Sequence, residues 1–555
     1  MNLRKIAFAA VGTILVAGVA GYIAFQQYWY YIPGIRQAIF DPVGPNQEVV
    51  WQKGPATPDA SVTDRPPNII LIVADDLGYN DISISGTGVD NGAVPTPNID
   101  SIARDGANLT QSYSGNATCA PSRAAMMTGR FATRFGFEFT PVPVQFARLL
   151  GHMSTTNTHK PIYHPDREKD VPPMAEMTVP ATETTLPEML KSKGYHNVML
   201  GKWHLGETAA ARPEARGFDE YLGFLGGAAL FLPSSDPNVV ESRQDFDPID
   251  KFLWANLAYA VVSNGGTKRF APSKYVTDYL SEEAAKAIEA NRNRPFFMYV
   301  AYNAPHTPLQ ALKSDYDELS GIKNHTLRVY GAMIKALDRG VGTVLKAVKD
   351  AGIENNTIII FTSDNGGANY IGLPDINKPF RGWKASFFEG GIRVPMLVKW
   401  PAKIKPGTTF TGAAGHVDIF ATAASAAGAE LPKDKPLDGV NLVPFITGEA
   451  TGTPHETMFW RSGPYKVLLA GDWKLQVTGT PDKSWLYNLK DDPTEKTNLA
   501  DTRPEKLAEL TARLNAIDSE QAKPLWPSLQ ESPIPLDRPL GTPEVEGEDY
   551  IYWSN

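Results

Sequence analysis

At 555 residues the chain is long enough for one large domain with a smaller companion, or for two to three domains of ordinary size. Its 42% hydrophobic and 21% charged residues are ordinary for a globular protein, and no tandem repeat or low-complexity block is visible. A net charge of −8, with scattered and outnumbered basic residues, argues against a nucleic-acid partner, and a single cysteine excludes an internal disulfide.

The first predicted element is apolar. Arg4 and Lys5 precede residues 6–25, which carry no charge, and Tyr28, Trp29, Tyr30 and Tyr31 follow. A helix of that length covers about 30 Å, enough to cross a bilayer once, and the aromatic cluster suits its interfacial belt. The pattern predicts an uncleaved signal anchor over 1–27, with cleavage at a weak small-residue site around Gly18 and Ala20 as the alternative. Arg4 and Lys5 then stay inside. The bulk of the chain is expected on the periplasmic or other extracytoplasmic side, held by one N-terminal helix, or secreted if the signal is cleaved.

Residues 28–66, rich in Pro, Gly and Gln from position 35 onward, read as a linker or surface wrap. The first strong strand is "NIILIVADD", Asn68 to Asp76, and a second is "NTIIIFTSDNGG", Asn356 to Gly367. Continuous apolar runs of this kind suit strands buried on both faces. Helical stretches such as "KYVTDYLSEEAAKAIEANR" and "VYGAMIKALDRGVGTVLKAVKDAG" lie between them. Over 67–435 this alternation predicts a large α/β domain with a central, mostly parallel sheet flanked by helices. Ligands gather outside the carboxyl ends of such strands, where Asp75, Asp76, Asp364 and Asn365 fall. These four read either as a shared oxygen-rich metal site or as acidic turn residues capping helices. Residues 436–555 predict a smaller C-terminal α+β subdomain with an antiparallel sheet, ending in a Pro-rich tail that wraps the surface.

The lone Cys119 stands in "NATCAPSRAAMMTGR". Pro121 suits the first turn of a helix that runs on to Gly129, so Cys119 is expected at a helix N-terminus with Arg123 one turn on. Such a place lowers a thiol's pKa or welcomes an anionic substrate, the alternative being a buried thiol acting as a small hydrophobe.

The stretch "CAPSRAAMMTGR" resembles the sulfatase signature, with Met127 where the family usually has Leu. "GYHNVMLGKWHLG", "RGFDEYLGF", "FFMYVAYNAPHTPLQA", "RGWKASFFEGGIRVP" and "LYNLKDDPTEKTNLA" are similar to sulfatase blocks in family order, and together they cover residues 66–515. The resemblance implies an arylsulfatase-like enzyme of the alkaline phosphatase superfamily, with the corresponding fold. It implies that Cys119 is oxidised to Cα-formylglycine by a separate maturation enzyme. It further implies that Asp75, Asp76, residue 119, Asp364 and Asn365 hold Ca²⁺, or Mg²⁺. Arg123, Lys202, His204, His306 and Lys384 match the basic residues around the nucleophile and the sulfate, Arg123, Lys202, His306 and Lys384 among them contacting substrate. The implied reaction passes through a covalent sulfate hemiacetal on residue 119. His306 or Lys384 protonates the departing alcohol, and His204 takes the proton that lets inorganic sulfate leave. In "GKWHLG", strand alternation is expected to turn Lys202 and His204 to one side. His152, His159, His164, His196, His325, His416 and His455 are left as structural or surface residues.

Two loop-rich segments, between "MTGR" and "GKWHLG" and between "GGAALF" and "SNGG", carry clustered aromatic residues. Aromatic loops around a rigid scaffold suit an aryl or other apolar sulfate ester. A carbohydrate sulfate is the main alternative. A phosphatase or phosphonate monoester hydrolase on the same fold is a second enzyme alternative, and a non-catalytic membrane-anchored binding protein is a third. Oligomeric state is not legible.

Overall fold

In the computed structural model, residues 28–555 are described apart from 59, 63, 153–157 and 267, together with Gly18, Gly21, Tyr22 and Phe25. The anchor expected over 1–27 therefore lies almost wholly outside the described residues. Among those that are described, no helix is long and apolar enough to cross a membrane.

The chain enters through a short helix, α1 (Ile32–Phe40), and runs into the central strand β1 (Asn68–Ala74). Every residue of β1 is buried, and its two faces feed different cores. Ile70, Ile72 and Ala74 face one side, while Ile69, Leu71 and Val73 face the other. A strand covered on both sides needs no polar alternation, which is why its sequence reads as one apolar run. After β2 (Ala107–Leu109), helix α2 (Cys119–Thr128) begins at Cys119 and stops at Gly129, whose φ of +68° is the left-handed conformation that favours glycine.

Strands β3 (His196–Lys202) and β4 (Glu220–Phe224) are followed by helix α3 (Pro248–Asn256), the short β5 (Val262–Ser263) and helix α4 (Val276–Asn291). Then come β6 (Phe296–Ala301), the long helix α5 (His325–Asp350), β7 (Thr357–Ser363), β8 (Met396–Lys399), β9 (Thr408–Phe410) and helix α6 (Val417–Ala426). The nine strands form one sheet in the order β9-β2-β8-β7-β1-β6-β3-β4-β5. Its five central strands, β7 to β4, are parallel. Strand β8 is antiparallel to both neighbours, and β5 runs antiparallel at the far edge. Helices α4 and α5 cover one face, with Val329, Met333, Val341, Val344 and Val348 of α5 buried at helical spacing. Helices α2 and α6 cover the other through Ala120, Ala124, Met127, Phe420 and Ala423. The α/β expectation holds.

A four-stranded antiparallel sheet follows, formed by β10 (Thr457–Ser462), β11 (Tyr465–Ala470), β12 (Trp473–Gly479) and β13 (Asp482–Asn488), with helix α7 (Pro504–Ser519) packed against it. It is locked to the large sheet by the buried Lys474, whose Nζ lies 2.8 Å from Glu389 and 3.0 Å from Glu495. The Pro-rich tail is more than a surface wrap. Gln530–Pro535 and Tyr550–Ser554 pair as antiparallel strands, and Trp553 is buried against Phe387.

Candidate active site

Parallel pairing of β1 with β7 puts Ala74 beside Ser363, so Asp75, Asp76, Asp364 and Asn365 leave adjacent strands at the same end of the sheet. All four are buried. Asp76 turns through a φ of +63°, a conformation that Asp tolerates better than most residues, and its backbone N–H donates to Asp364 at 3.1 Å. The N-terminus of α2 closes over this end. Cys119 Sγ lies 3.7 Å from Asp75 and 3.8 Å from Asp76. Burial pushes this thiol up to about 12, against the pull of Lys202 and Lys384. Of the readings open for this position, burial disfavours the acidified thiol and leaves the anion site and the buried thiol.

Three cations answer the three carboxylates. Lys202 donates to both Asp75 oxygens at 2.8 and 2.9 Å, and Lys384 donates to Asp76 at 2.8 Å. Arg123 Nε donates to Asp364 at 2.9 Å, its NH1 to Tyr299 Oη at 3.1 Å. Burial raises the Asp75 carboxyl to about 7 even though Lys202 opposes it. Burial works the same way on Asp76, but Lys384 and His306 overcome it and hold that carboxyl well below the usual range. Burial disfavours the charge of Lys384, yet Asp76 holds its pKa well above the ordinary value.

His306 Nδ1 lies 2.5 Å from the Thr307 carbonyl, which leaves Nε2 facing Lys384 at 3.4 Å and Asp76 at 3.6 Å. Burial lowers its pKa to about 3, so the ring is neutral. His204 is held well below its usual pKa by burial first and then by Lys202 and Arg123, and its Nδ1 is buried without a hydrogen-bond partner. The expected strand alternation between Lys202 and His204 is not what positions them. β3 ends at Lys202 and His204 has a φ of +60°, so a turn carries the imidazole to the cavity.

The oxygens of Asp75, Asp76 and Asn365 fit a hard dication, whereas the Cys119 thiol and His306 imidazole within the same reach are softer donors. Asp75, Asp76, Cys119 and His306 each offer a ligand atom, all within 4.8 Å of one another. Asn365 Oδ1 is buried nearby with no hydrogen-bond partner, while its Nδ2 donates to Asp76 at 2.8 Å. An orphaned oxygen beside paired carboxylates suits Ca²⁺ or Mg²⁺. Asp364, expected among the ligands, pairs with Arg123 at 2.8 Å.

Sequence reasoning missed three supporting residues. Tyr370 donates to Asp76 at 3.0 Å and accepts from Lys384 at 3.1 Å. Tyr299 meets Arg123 from β6, and His416 Nδ1 lies 2.9 Å from Ser122 Oγ behind α2. Only Tyr370 had a local signal, standing five residues after Asn365 on the same loop. From Cys119, Lys202, His204, His306 and Lys384 a cavity of about 1140 Å³ opens outward. Phe146, Ile249, Phe252, Leu253 and Trp553 line its apolar walls.

Residues 67–429 match the family model described as "Sulfatase". The chain belongs to the sulfatase family. Residues 382–521 of this sulfatase also match the model "N-sulphoglucosamine sulphohydrolase, C-terminal". It is 30% identical over 465 residues to the steryl-sulfatase of Mus musculus, covering 73% of this chain and 69% of that protein. It is 31% identical over 436 residues to the N-acetylgalactosamine-6-sulfatase of Mus musculus, covering 77% and 74%. The crystal structure of Ps i-CgsB in complex with k-i-k-neocarrahexaose superposes with a TM-score of 0.68 at 32% identity, covering 83% of this chain and 95% of that one. The enzyme is a hydrolase of sulfate esters.

Proposed function

We propose that this sulfatase hydrolyses aryl or other apolar sulfate monoesters at residue 119 after Cys119 has been converted to Cα-formylglycine, with Ca²⁺ (or Mg²⁺) held by the Asp75, Asp76 and Asn365 cluster. The observation that carries this reading is the position of Cys119. It is a buried, weakly acidic thiol between three carboxylates and three cations, at the closed end of an apolar cavity. Formylglycine supplies the hydrated aldehyde as nucleophile, and the dication supplies positive charge beside it.

The chain's own residues do the rest. Lys202 and Lys384, which pair with Asp75 and Asp76, would be released towards the sulfate oxygens if a dication took up that carboxylate charge. Arg123, held by Asp364 and Tyr299, fixes the start of α2 and adds charge there. Lys384 keeps its proton and lies 3.4 Å from His306 Nε2, so this pair delivers a proton to the departing oxygen. His204, neutral and with an unpartnered Nδ1, accepts the proton released when sulfate is expelled.

Phe146, Phe252 and Leu253 favour an apolar leaving group. The carbohydrate alternative draws on relatives named for sugar substrates. We further place the catalytic domain outside the cytoplasm, anchored by residues 6–25, a placement that detergent phase partitioning of the full chain against one lacking residues 1–27 tests. Peptide mass at residue 119 tests the nucleophile, since conversion of the thiol to an aldehyde lowers it by about 18 Da. Cys119→Ala is expected to fold normally and to have no turnover of 4-nitrophenyl sulfate. An unmodified Cys119 in active protein overturns the proposal. Faster turnover of 4-nitrophenyl phosphate or of a sulfated sugar overturns the substrate class.

A further inference from the structure

Helix α1 lies outside the residues that match the family model, which begin at 67, yet it borders the same cavity as Cys119. Trp29, Ile32, Pro33 and Phe40 give most of the wall surface there, with Arg36 and Gln37 beside them, and Phe146 and Phe252 line the same cavity. The contact that holds this wall is built for close approach. A Cβ at Gly34 would sit 2.2 Å from the carbonyl oxygen of Ala255 in α3, so only glycine lets the two helices meet. Asn256 Nδ2, also in α3, donates to the Tyr30 carbonyl at 3.0 Å, and Arg269 Nε pairs with Asp41 at 2.7 Å just past the end of α1. A segment that merely linked an anchor to a domain would need none of these contacts.

The cavity has two ends of opposite character. It reaches Lys202 and Lys384 beside Cys119 at its closed end, and it is bordered by the mostly apolar α1, with Arg36 and Gln37 among its apolar side chains. At about 1140 Å³ it exceeds the roughly 300–1,000 Å³ of ordinary small-molecule sites, far more than a single aryl ring fills. The outward side of α1 is also apolar, with Ile35 57% and Ile39 65% exposed. We propose that α1 is a substrate-binding element whose inner face takes the long apolar portion of an amphiphilic sulfate monoester, with the sulfate at the lysine end. This rests on the apolar-ester reading above and names its substrate class. The ester reaches the site from water or from a lipid surface, since both present the same chemistry.

The test compares kcat/KM for 4-nonylphenyl sulfate and 4-nitrophenyl sulfate in the full-length protein. The long ester is supplied both as monomer and in phosphatidylcholine vesicles. Wild type is expected to prefer the long ester by about tenfold or more. Gly34→Leu, which forces α1 off α3, is expected to lose that preference while keeping 4-nitrophenyl sulfate turnover within about twofold. Ile32→Asp, at a half-exposed position that tolerates charge, is expected to lower the ratio of the two esters by about tenfold. An unchanged ratio in Ile32→Asp overturns the proposal, even if Gly34→Leu fails to fold. A wild type active on 4-nitrophenyl sulfate without preference for the long ester also overturns it, and leaves the sulfate-ester reading standing. Activity towards neither ester overturns that reading itself. Faster turnover from vesicles assigns the lipid surface as the source, equal turnover assigns water, and both support the wall.

Discussion

Arg123 and Asp364 meet where α2 crosses the end of β7, with Nε and NH2 at 2.9 and 2.8 Å from one carboxylate oxygen and neither side chain exposed. The guanidinium reaches three more groups from this one position. Its NH1 lies 3.1 Å from Tyr299 Oη and 3.3 Å from the Lys202 carbonyl, and NH2 lies 3.7 Å from Asp75. One planar cation thus ties α2 to β6, to the end of β3 and to the carboxylate cluster. A lysine keeps the charge but loses the fork.

Arg123→Lys is therefore expected to lower kcat for 4-nitrophenyl sulfate by about 10²–10³-fold. Leaving Tyr299 and Asp364 with fewer partners should also cost about 1–3 kcal/mol of stability, read as a lower urea midpoint. A variant with wild-type kcat would show that point charge alone suffices at this position.

Metal removal is a separate lever. Among the described residues, Asn365 Oδ1 is a buried oxygen at the site with no hydrogen-bond partner, beside carboxylates that otherwise depend on lysines. Dialysis against EDTA is expected to abolish turnover and lower the thermal midpoint, and Ca²⁺ or Mg²⁺ to restore both. Ligand present at a hundred times its Kd adds about 2.7 kcal/mol to folded stability. Asn365→Ala is expected to raise the Ca²⁺ concentration for half-maximal activity about 10–100-fold. Full activity after exhaustive chelation would remove the dication from the mechanism.

Much of this was legible because fold and site share their elements. The apolar runs of β1 and β7 mark strands covered on both faces, and the acidic residues that end them stand where parallel sheets collect ligands. The signature around Cys119 sits on a regular helix, so spacing alone placed Arg123 one turn on. What stayed hidden depends on chain reversals and on distant segments. The left-handed turn at His204 has no local signal, since any alternation rule assumes extended backbone. His416 is 294 residues from its partner Ser122, and nothing around it distinguishes it from other buried histidines. Residues 29–40 and the C-terminal strands read as aromatic belt, linker and wrap because their aromatic and Pro-rich composition carries no regular periodicity, yet packing makes them walls of the cavity.

The last prediction concerns stability against pH and uses a carboxyl away from the cluster. Asp81 lies on the loop that leaves β1, accepts from Tyr330 Oη at 2.6 Å and from the Gly78 N–H at 2.7 Å, and is 1% exposed. Burial raises its pKa to about 8, although both hydrogen bonds favour the ionised form. In the unfolded chain an Asp titrates near about 3.9. Between these values the folded state keeps a proton that the unfolded state has released, so the sign is fixed: stability from this group is full below about pH 4 and is lost as pH rises through about 8. The slope is at most about 1.4 kcal/mol per pH unit. Asp81→Asn cannot ionise, so relative to wild type it should gain stability steadily between pH 5 and 8, a window set by the same two values. Urea unfolding of both proteins across that range, read as the difference in midpoint, checks it. Parallel curves would mean that Asp81 is ionised in the folded protein and that its two hydrogen bonds outweigh burial.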